Sequence, residues 1–200
     1  MKKVFLCVSL FFVLNSAFSQ HFMHGAGITF KVSSAGGGHI SYGAGFTYSP
    51  RINFVETQKL SVSAGIPLSV AISASTHSSY DAINDYYYDN AEVGFVINAP
   101  LIVSLNMGRG STKANRQKFG YFVGAGLGYH HGDFLVDETD AQGDNFVGTR
   151  SLNTFGPAAN AGVRFGVGRK HRNIELRLSY MKGLNETKPN VFGIAGLFNF

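Results

Sequence analysis

The sequence predicts an all-β fold, an eight-stranded antiparallel transmembrane β-barrel with up-and-down connections that follows an N-terminal signal peptide. First, apolar residues alternate with small or polar residues over eight stretches, which is the period of a β-strand. Second, only 14% of the residues are charged, against about 25% in soluble domains. Third, many of these stretches reach the length of about 9–11 residues that a strand needs to cross a bilayer.

The N-terminus has the pattern of a secretory signal peptide over residues 1–19. Lys2 and Lys3 precede an apolar core, and Ala17-Phe18-Ser19 forms a cleavage site of the small-x-small type. The barrel domain is then expected over residues 20–200. Cys7 is the one cysteine and lies in the signal, so disulfide and thiolate chemistry are excluded for the mature chain.

The alternation is longest in KLSVSAGIPLSVAISA, residues 59–74, where every even-numbered residue is apolar. Two strands are interrupted by Pro67 and Pro100, and we expect a β-bulge at each, because proline removes a hydrogen bond from the ladder. The eight predicted strands cover residues 25–32, 39–54, 59–74, 92–105, 119–130, 155–167, 173–180 and 192–200.

A membrane barrel is favoured over a soluble β-sandwich or a soluble lipocalin-like barrel. Soluble sandwich strands are typically about 5–6 residues long, and a soluble barrel would need many more charges to coat its outside. The second face of these strands is instead rich in Gly, Ser, Thr and Asn. A sheet in lipid must close on itself to pair its backbone, and eight strands leave an interior that side chains can fill. We therefore expect a filled lumen.

The connections predict how the barrel is oriented in the membrane. Residues 76–90 and 133–151 are expected to be long, acidic external loops, and residues 56–58 and 168–172 short periplasmic turns. Both mature termini would then be periplasmic. The turn at 108–117 is longer than this scheme expects, and the basic residues of the turns are interpreted as solvated. These basic residues are Arg109, Lys113, Arg116, Arg169, Lys170 and Arg172.

Aromatic residues are expected at both membrane interfaces, and Tyr and Phe must supply them because the chain has no Trp. The predicted girdles comprise Tyr48, Tyr121, Phe165, Phe198 and Phe200 on the periplasmic side and Phe30, Tyr129, Phe155 and Tyr180 on the external side. Tyr80, Tyr86, Tyr87 and Tyr88 are interpreted either as surface contacts for a protein partner or as part of the external girdle.

Few charges fall on the predicted lumen face, and three of them form a predicted cluster. A hairpin centred between Arg169 and Lys170 places Arg164 opposite Glu175, and Arg177 lies diagonally from them. A buried charge needs a partner, so an Arg164–Glu175–Arg177 cluster is expected to plug the lumen. Its role is either structural or that of a gate for ions.

The sequence gives little support for an enzyme. A lipid-active enzyme would draw on His77 with Ser78 or Ser79, or on His130 and His131 with Asp133, but neighbouring residues of a strand point to opposite faces. The chain lacks G-x-S-x-G, phosphate-loop and zinc motifs. We expect no catalysis, no cofactor and no metal site. The mature chain, with 15 basic and 12 acidic residues once Lys2 and Lys3 are removed, is too weakly basic to predict nucleic-acid binding.

The chain resembles small bacterial outer-membrane β-barrel proteins of the OmpX-like and PorT-like classes. The resemblance rests on the signal peptide and on the stretches GAGFTYSPRINF, FVGAGLGY and GIAGLFNF. It implies a Gram-negative cell envelope, contact with outer-membrane lipid, and recognition of the terminal Phe200 by the barrel-assembly machinery. The implied roles are envelope structure or surface interaction with an extracellular or envelope protein. The alternatives are an accessory part in protein secretion, a porin-like pore for small solutes, or lipid modification.

Overall fold

The computed structural model describes residues 21–34, 40–81, 86–139, 145–168, 171–185 and 188–200. Within these ranges, the side chains of residues 76–81, 86–92, 135–139 and 145–148 are not described. The predicted signal peptide and the side chains of Tyr80 and Tyr86 to Tyr88 therefore lie outside the described part. No helix among the described residues is long and apolar enough to cross a membrane.

The described residues form a single antiparallel sheet. Its strands are β1 (His21–Met23), β2 (Gly25–Ser34), β3 (Ile40–Tyr48), β4 (Arg51–Glu56), β5 (Leu60–Gly65), β6 (Leu68–Asp81), β7 (Tyr86–Asn98), β8 (Leu101–Gly108), β9 (Phe119–Thr139), β10 (Asn145–Gly166), β11 (Asn173–Lys182) and β12 (Asn190–Asn199).

The sheet closes into a barrel. β1 and β2 follow one another across a one-residue break, and β3–β4, β5–β6 and β7–β8 across two-residue breaks. These pairs and the single strands β9 to β12 make eight barrel strands in the described part of the chain. Each is antiparallel to the next, and β12 pairs with β2 to close the ring. The predicted eight-stranded up-and-down barrel is confirmed.

Large apolar side chains cover the outside of the barrel. Phe46, Val93 and Leu127 are 75%, 78% and 70% exposed, although exposure to water would cost about 25 cal/mol for each Å² of apolar surface. The alternate positions point inward and are buried. Most of them are small or polar, as at Ser61 and Thr154, and an apolar minority includes Ile102 and Met181. The residues of the two predicted aromatic girdles all occupy the outward face. The predicted assignment of the two faces is therefore confirmed.

The predicted bulges at Pro67 and Pro100 are wrong. The pairing of β5 with β8 and the pairing of β6 with β7 are separated by the two prolines but have the same register. This register places Pro67 opposite Pro100. The flanking pairs are Gly65 with Ile102 and Ser69 with Asn98.

The two prolines share a rung of the ladder, and this explains why no bulge forms. The nitrogen of Ile66 donates to the carbonyl of Pro50 at 3.1 Å, and Ala99 donates to Tyr129 at 2.8 Å. Hydrogen-bonded and non-bonded pairs alternate along an antiparallel ladder. The missing N–H groups of the two prolines consequently face each other, and one rung is lost without a register shift. A bulge does occur at Phe54, between the pairs of Asn53 and Val55.

The regions predicted as long external loops are mostly paired strands. β6 pairs with β7 as far as Asp81 and Tyr86, and β9 pairs with β10 as far as Thr139 and Asn145. The prediction that 76–90 and 133–151 are loops is therefore wrong. The two hairpins are adjacent in the barrel, and we call them the tall hairpins. We call the barrel end that they extend the hairpin end, and the opposite end, with His21 and Phe200, the terminal end.

Candidate functional site

A charged cluster centred on one carboxylate occupies the lumen near the terminal end. Glu175 is fully buried, and Arg164 lies opposite it in the β10–β11 ladder. The Nε of Arg164 donates to Oε2 of Glu175 at 2.7 Å. Arg177, two residues further along β11, donates to Oε1 through Nε at 2.9 Å and also through Nη2. The structure thus brings together the three residues that the sequence singled out.

Two residues that the sequence did not indicate complete this lumen cluster. The Nη1 of Arg51 donates to Oε2 of Glu175 at 3.5 Å, and Nδ2 of Asn199 donates to the same oxygen at 3.1 Å. Asn199 lies on β12, the strand that follows β11, and is diagonal to Glu175 in the β11–β12 ladder. Arg51 lies on β4, far from β10 and β11 in the chain, so its approach depends on how the whole sheet closes.

An aromatic ring packs against the cluster from strand β9. The guanidinium carbon of Arg164 lies 4.2 Å from the centre of the Phe122 ring, and that of Arg177 lies 5.7 Å from it. A cation over a desolvated aromatic face gains about 2 kcal/mol. Phe122 is one of the few large apolar side chains that point inward, and its contacts with the two arginines explain its position.

The turn between β8 and β9, residues 109–118, covers the terminal end of the lumen. The carbonyl of Gly110 accepts a hydrogen bond from Nη2 of Arg51 at 3.0 Å, and the carbonyl of Ser111 accepts one from Nδ2 of Asn53 at 2.7 Å. Arg109 is only 4% exposed and donates to the carbonyl of Arg172 at 2.9 Å. The expectation that Arg109 is solvated is therefore wrong, because the extra length of this turn folds inward.

Two small cavities lie inside the barrel on either side of Arg177. One has a volume of about 30 Å³ and is lined by Lys31, Asn98 and Arg177 among others. The other has a volume of about 20 Å³ and is lined by Arg51, Arg164 and Arg177 among others. A single water molecule needs about 10–15 Å³ on this measure, so each cavity is large enough for one or two waters.

A second buried polar group lies nearer the hairpin end. The Nζ of Lys31 donates to Oδ1 of Asn98 at 3.2 Å. The amide nitrogen of Asn98 lies 3.4 Å from Nδ1 of His130, whose ring packs on Phe134 at a centroid distance of 5.5 Å. Nε2 of His130 is buried and has no hydrogen-bond partner among the described residues.

The candidate catalytic residues do not form a nucleophile–base pair in the described structure. His130 points into the lumen, whereas His131 lies on the other face and its Nδ1 is 2.9 Å from Oδ1 of Asn153. Asp133 accepts hydrogen bonds from the hydroxyl of Ser151 and from the backbone nitrogen of Phe95. A nucleophilic hydroxyl needs a base within hydrogen-bond reach, and the described side-chain partners of His130 and His131 are the amides of Asn98 and Asn153. The side chains of His77, Ser78 and Ser79 lie outside the described part.

No protein-family model matches the chain, and no curated protein matches its sequence. Solved structures do match. Ail, the attachment invasion locus protein of Yersinia pestis, is 10% identical over 90% of this chain and 98% of its own, with a TM-score of 0.52. The chain has the fold of the small outer-membrane β-barrels.

Two further barrels match with lower scores. Neisserial surface protein A is 10% identical over 90% of this chain and 97% of its own, with a TM-score of 0.48. The outer membrane protein OprG from Pseudomonas aeruginosa is 11% identical over 90% of this chain and 95% of its own, with a TM-score of 0.43.

Within this outer-membrane barrel fold, Phe200 lies directly after β12 and beside His24, the residue between β1 and β2. Its nitrogen donates to the carbonyl of His24 at 3.1 Å, and its ring lies 4.3 Å from that of His24 and 6.1 Å from that of Phe198. The side chain of Phe200 is exposed on the outward face. The backbones of Tyr86, Tyr87 and Tyr88 lie in a tall hairpin.

Proposed function

We propose that this is an integral outer-membrane protein with a filled lumen and a non-enzymatic role, which presents its two tall hairpins to an extracellular or envelope protein. The observation that carries the proposal is the division of β9 and β10 into an apolar outward-facing part and a polar extension. The apolar part has the length of a membrane crossing, and the extension has no counterpart in strands β11, β12 and β2.

The outward face of β9 supports the membrane placement. Its outward residues are apolar or aromatic from Phe119 to Tyr129, a span of 11 residues, and a crossing strand needs about 9–11. The next outward residues are His131 and Asp133, which are polar. The last ten residues of β9 therefore extend beyond the hydrocarbon region.

The tall hairpins carry most of the acidic residues of the protein. Residues 76–92 and 131–153 together contain nine of the 12 Asp and Glu residues and one Arg. Such a charge distribution favours a partner with a basic surface, because complementary charges steer association. Tyr80, Tyr86, Tyr87 and Tyr88 add aromatic side chains of the kind enriched in protein interfaces.

The orientation follows from the same division. The tall hairpins would face the outside of the cell, and the terminal end, with both mature termini, the periplasm. Phe200, an exposed aromatic residue at the end of the last strand, would be the feature that the barrel-assembly machinery recognises.

Cysteine labelling of intact cells tests the placement, because the mature chain has no other cysteine. Gln142→Cys, between β9 and β10, is expected to react with a membrane-impermeant maleimide. Lys113→Cys, in the turn at the terminal end, is the matched control and should react only after the outer membrane is permeabilised. Labelling of Lys113→Cys alone in intact cells would show that the orientation is reversed.

Planar-bilayer recordings test the filled lumen. The lumen cluster, the turn 109–118 and the small cavities support a closed barrel, so the wild type should show no steady ion conductance. A steady conductance in the wild type would favour a pore. If the lumen cluster is structural, Glu175→Gln also remains closed, whereas a large conductance in this variant alone would assign a gating role to Glu175.

The partner is tested by photo-crosslinking in cells. A photoreactive residue at Tyr87 is expected to form an adduct whose yield falls at high salt, because surface charge attraction is screened. The control position is Tyr121, on the lipid-facing wall, where no protein adduct is expected. A salt-insensitive adduct would contradict a charge-directed contact, and turnover of labelled lipid A by the purified protein would contradict the non-enzymatic role.

A further inference from the structure

Positive charge exceeds negative charge inside the barrel. Lys31, Arg51, Arg164 and Arg177 are each at most 7% exposed, and Glu175 is the one buried carboxylate among the described side chains. Buried charges are stable only when they are paired or otherwise compensated. One carboxylate compensates one of these four cations of the strands, so the five groups together carry three excess positive charges. Arg109, in the turn 109–118, is a further buried cation.

Glu175 cannot also neutralise Lys31, the buried cation nearest the hairpin end. Its oxygens already accept hydrogen bonds from Arg51, Arg164, Arg177 and Asn199. Lys31 lies opposite Gly193 on β12, whereas Glu175 lies opposite Leu197. These positions are four residues apart, or about 13 Å along the strand.

Lys31 is hydrogen-bonded but not neutralised. An ammonium group has three N–H donors, and the described acceptor for Lys31 is the neutral amide oxygen of Asn98. Arg177 uses Nε and Nη2 for Glu175 and Ser49, while Nη1 makes no hydrogen bond within the described part of the chain. Both cations line the same cavity of about 30 Å³.

We propose that this cavity binds one monovalent anion of the halide class, chloride under ordinary conditions, between Lys31 and Arg177. Water would satisfy hydrogen-bond donors there but would leave the charge uncompensated. The volume equals that of about two water sites, which is enough for one halide ion. The four hydroxyls on the cavity wall donate their protons elsewhere in the barrel. The donors to the anion are therefore the Lys31 ammonium and the Arg177 guanidinium, and apolar side chains such as Met181 and Val191 line the rest of the cavity.

Thermal unfolding in detergent tests the site, with sodium chloride or bromide compared with sodium gluconate at equal ionic strength. Gluconate is too large for the cavity. In the wild type, the unfolding midpoint is expected to rise by about 3 °C at a halide concentration tenfold above the dissociation constant. Well above the dissociation constant, the midpoint should continue to rise with the logarithm of the halide concentration, as linkage to one site requires.

Lys31→Met is the decisive variant, since it keeps the length of the side chain and removes the charge. Its midpoint in gluconate should equal or exceed that of the wild type, because an uncompensated buried charge is removed. The rise of the unfolding midpoint with halide should be lost in this variant. Lys59→Met, at an exposed position, is the control and should keep the full rise. An equal midpoint in gluconate and halide for the wild type, or an undiminished rise in Lys31→Met, would overturn the proposal.

A direct readout covers the case in which Lys31→Met does not fold. Anomalous scattering from wild-type crystals grown in bromide should give a peak between Lys31 and Arg177, and an empty cavity would overturn the proposal. None of these measurements depends on the membrane orientation or on the partner of the tall hairpins, so the two proposals fail independently.

Discussion

At the scale of the residue, Glu175 is the centre of the lumen. It accepts hydrogen bonds from three arginines and one asparagine, and it is completely buried. Removing one partner of a buried ion pair leaves the others uncompensated, which costs about 3–5 kcal/mol. The charge of Glu175 therefore stabilises the barrel by allowing three guanidinium groups to be buried together.

Glu175→Gln is expected to lower the free energy of unfolding by about 3 kcal/mol, because the substituted amide keeps the shape but loses the charge. Urea unfolding in lipid vesicles measures this. Glu56→Gln is the matched control, since Glu56 is part-exposed and bonds His21 at the terminal end, and surface pairs contribute at most about 1 kcal/mol. Equal losses for the two variants would contradict the central place of Glu175.

Glycine inside the barrel leaves room for the lumen cluster. A Cβ atom at Gly162 would lie 2.7 Å from the Phe122 ring and 2.2 Å from the carbonyl oxygen of Leu176, whereas one at Gly196, on the outward face, would meet nothing closer than 4.0 Å. Gly162→Ala should therefore destabilise the fold by about 1–3 kcal/mol. Gly196→Ala should change the unfolding free energy much less in the same urea titration. The opposite order would contradict the assignment of the two faces.

The sequence predicts side-chain pairs within one hairpin and misses pairs across the lumen. The pairing of Arg164 with Glu175 follows from the centre of a single tight turn. Arg51 reaches the same carboxylate from a strand that is distant in sequence, and Lys31 meets Asn98 across the barrel. Those contacts depend on the shear of the closed sheet, which alternation along one strand does not contain.

At the scale of the element, the turn 109–118 acts as a lid on the terminal end. Gly110 has a φ of +74°, a left-handed conformation that favours glycine, and a Cβ there would lie 2.8 Å from Cδ of Arg164. Gly168 has a similar φ of +68° but faces open space. The two glycines thus share a left-handed backbone conformation and differ in what surrounds them.

Gly110→Val is expected to destabilise the barrel more than Gly168→Val. Both variants carry the cost of a left-handed valine, about 1–3 kcal/mol, and only the first also displaces the turn from the lumen cluster. Equilibrium unfolding of the two variants measures the difference, and limited proteolysis of Gly110→Val should show faster cleavage within 109–118. Equal unfolding energies would mean that the turn does not pack on the cluster.

The extents of strands were harder to predict than their existence. Alternation reports a difference between two environments, and it disappears where both faces of a strand are polar. The β9–β10 ladder nevertheless continues to Thr139 and Asn145. The error at Pro67 and Pro100 has another origin, because each proline was considered alone and their shared rung is visible only once β5–β6 and β7–β8 are paired.

At the scale of the whole molecule, the contrast between the two faces of the barrel determines where the protein is stable. The outward face is apolar, the inward face is polar and charged, and closure of the sheet pairs the backbone of the wall. This arrangement is the inverse of a soluble barrel and is stable only where the surroundings are hydrocarbon. The overall architecture was predictable because this contrast is repeated in every strand.

Single tryptophan reporters test that relation most directly, since the natural chain has none. Leu127→Trp places the reporter on the outward face, and Phe122→Trp, a buried inward position, is the control. In vesicles whose acyl chains carry bromine, which quenches tryptophan on contact, we predict strong quenching of Leu127→Trp and little of Phe122→Trp. A lipid-facing wall would be contradicted if only Phe122→Trp were quenched. It would also be contradicted if neither variant were quenched while the folded protein stayed in the aqueous phase.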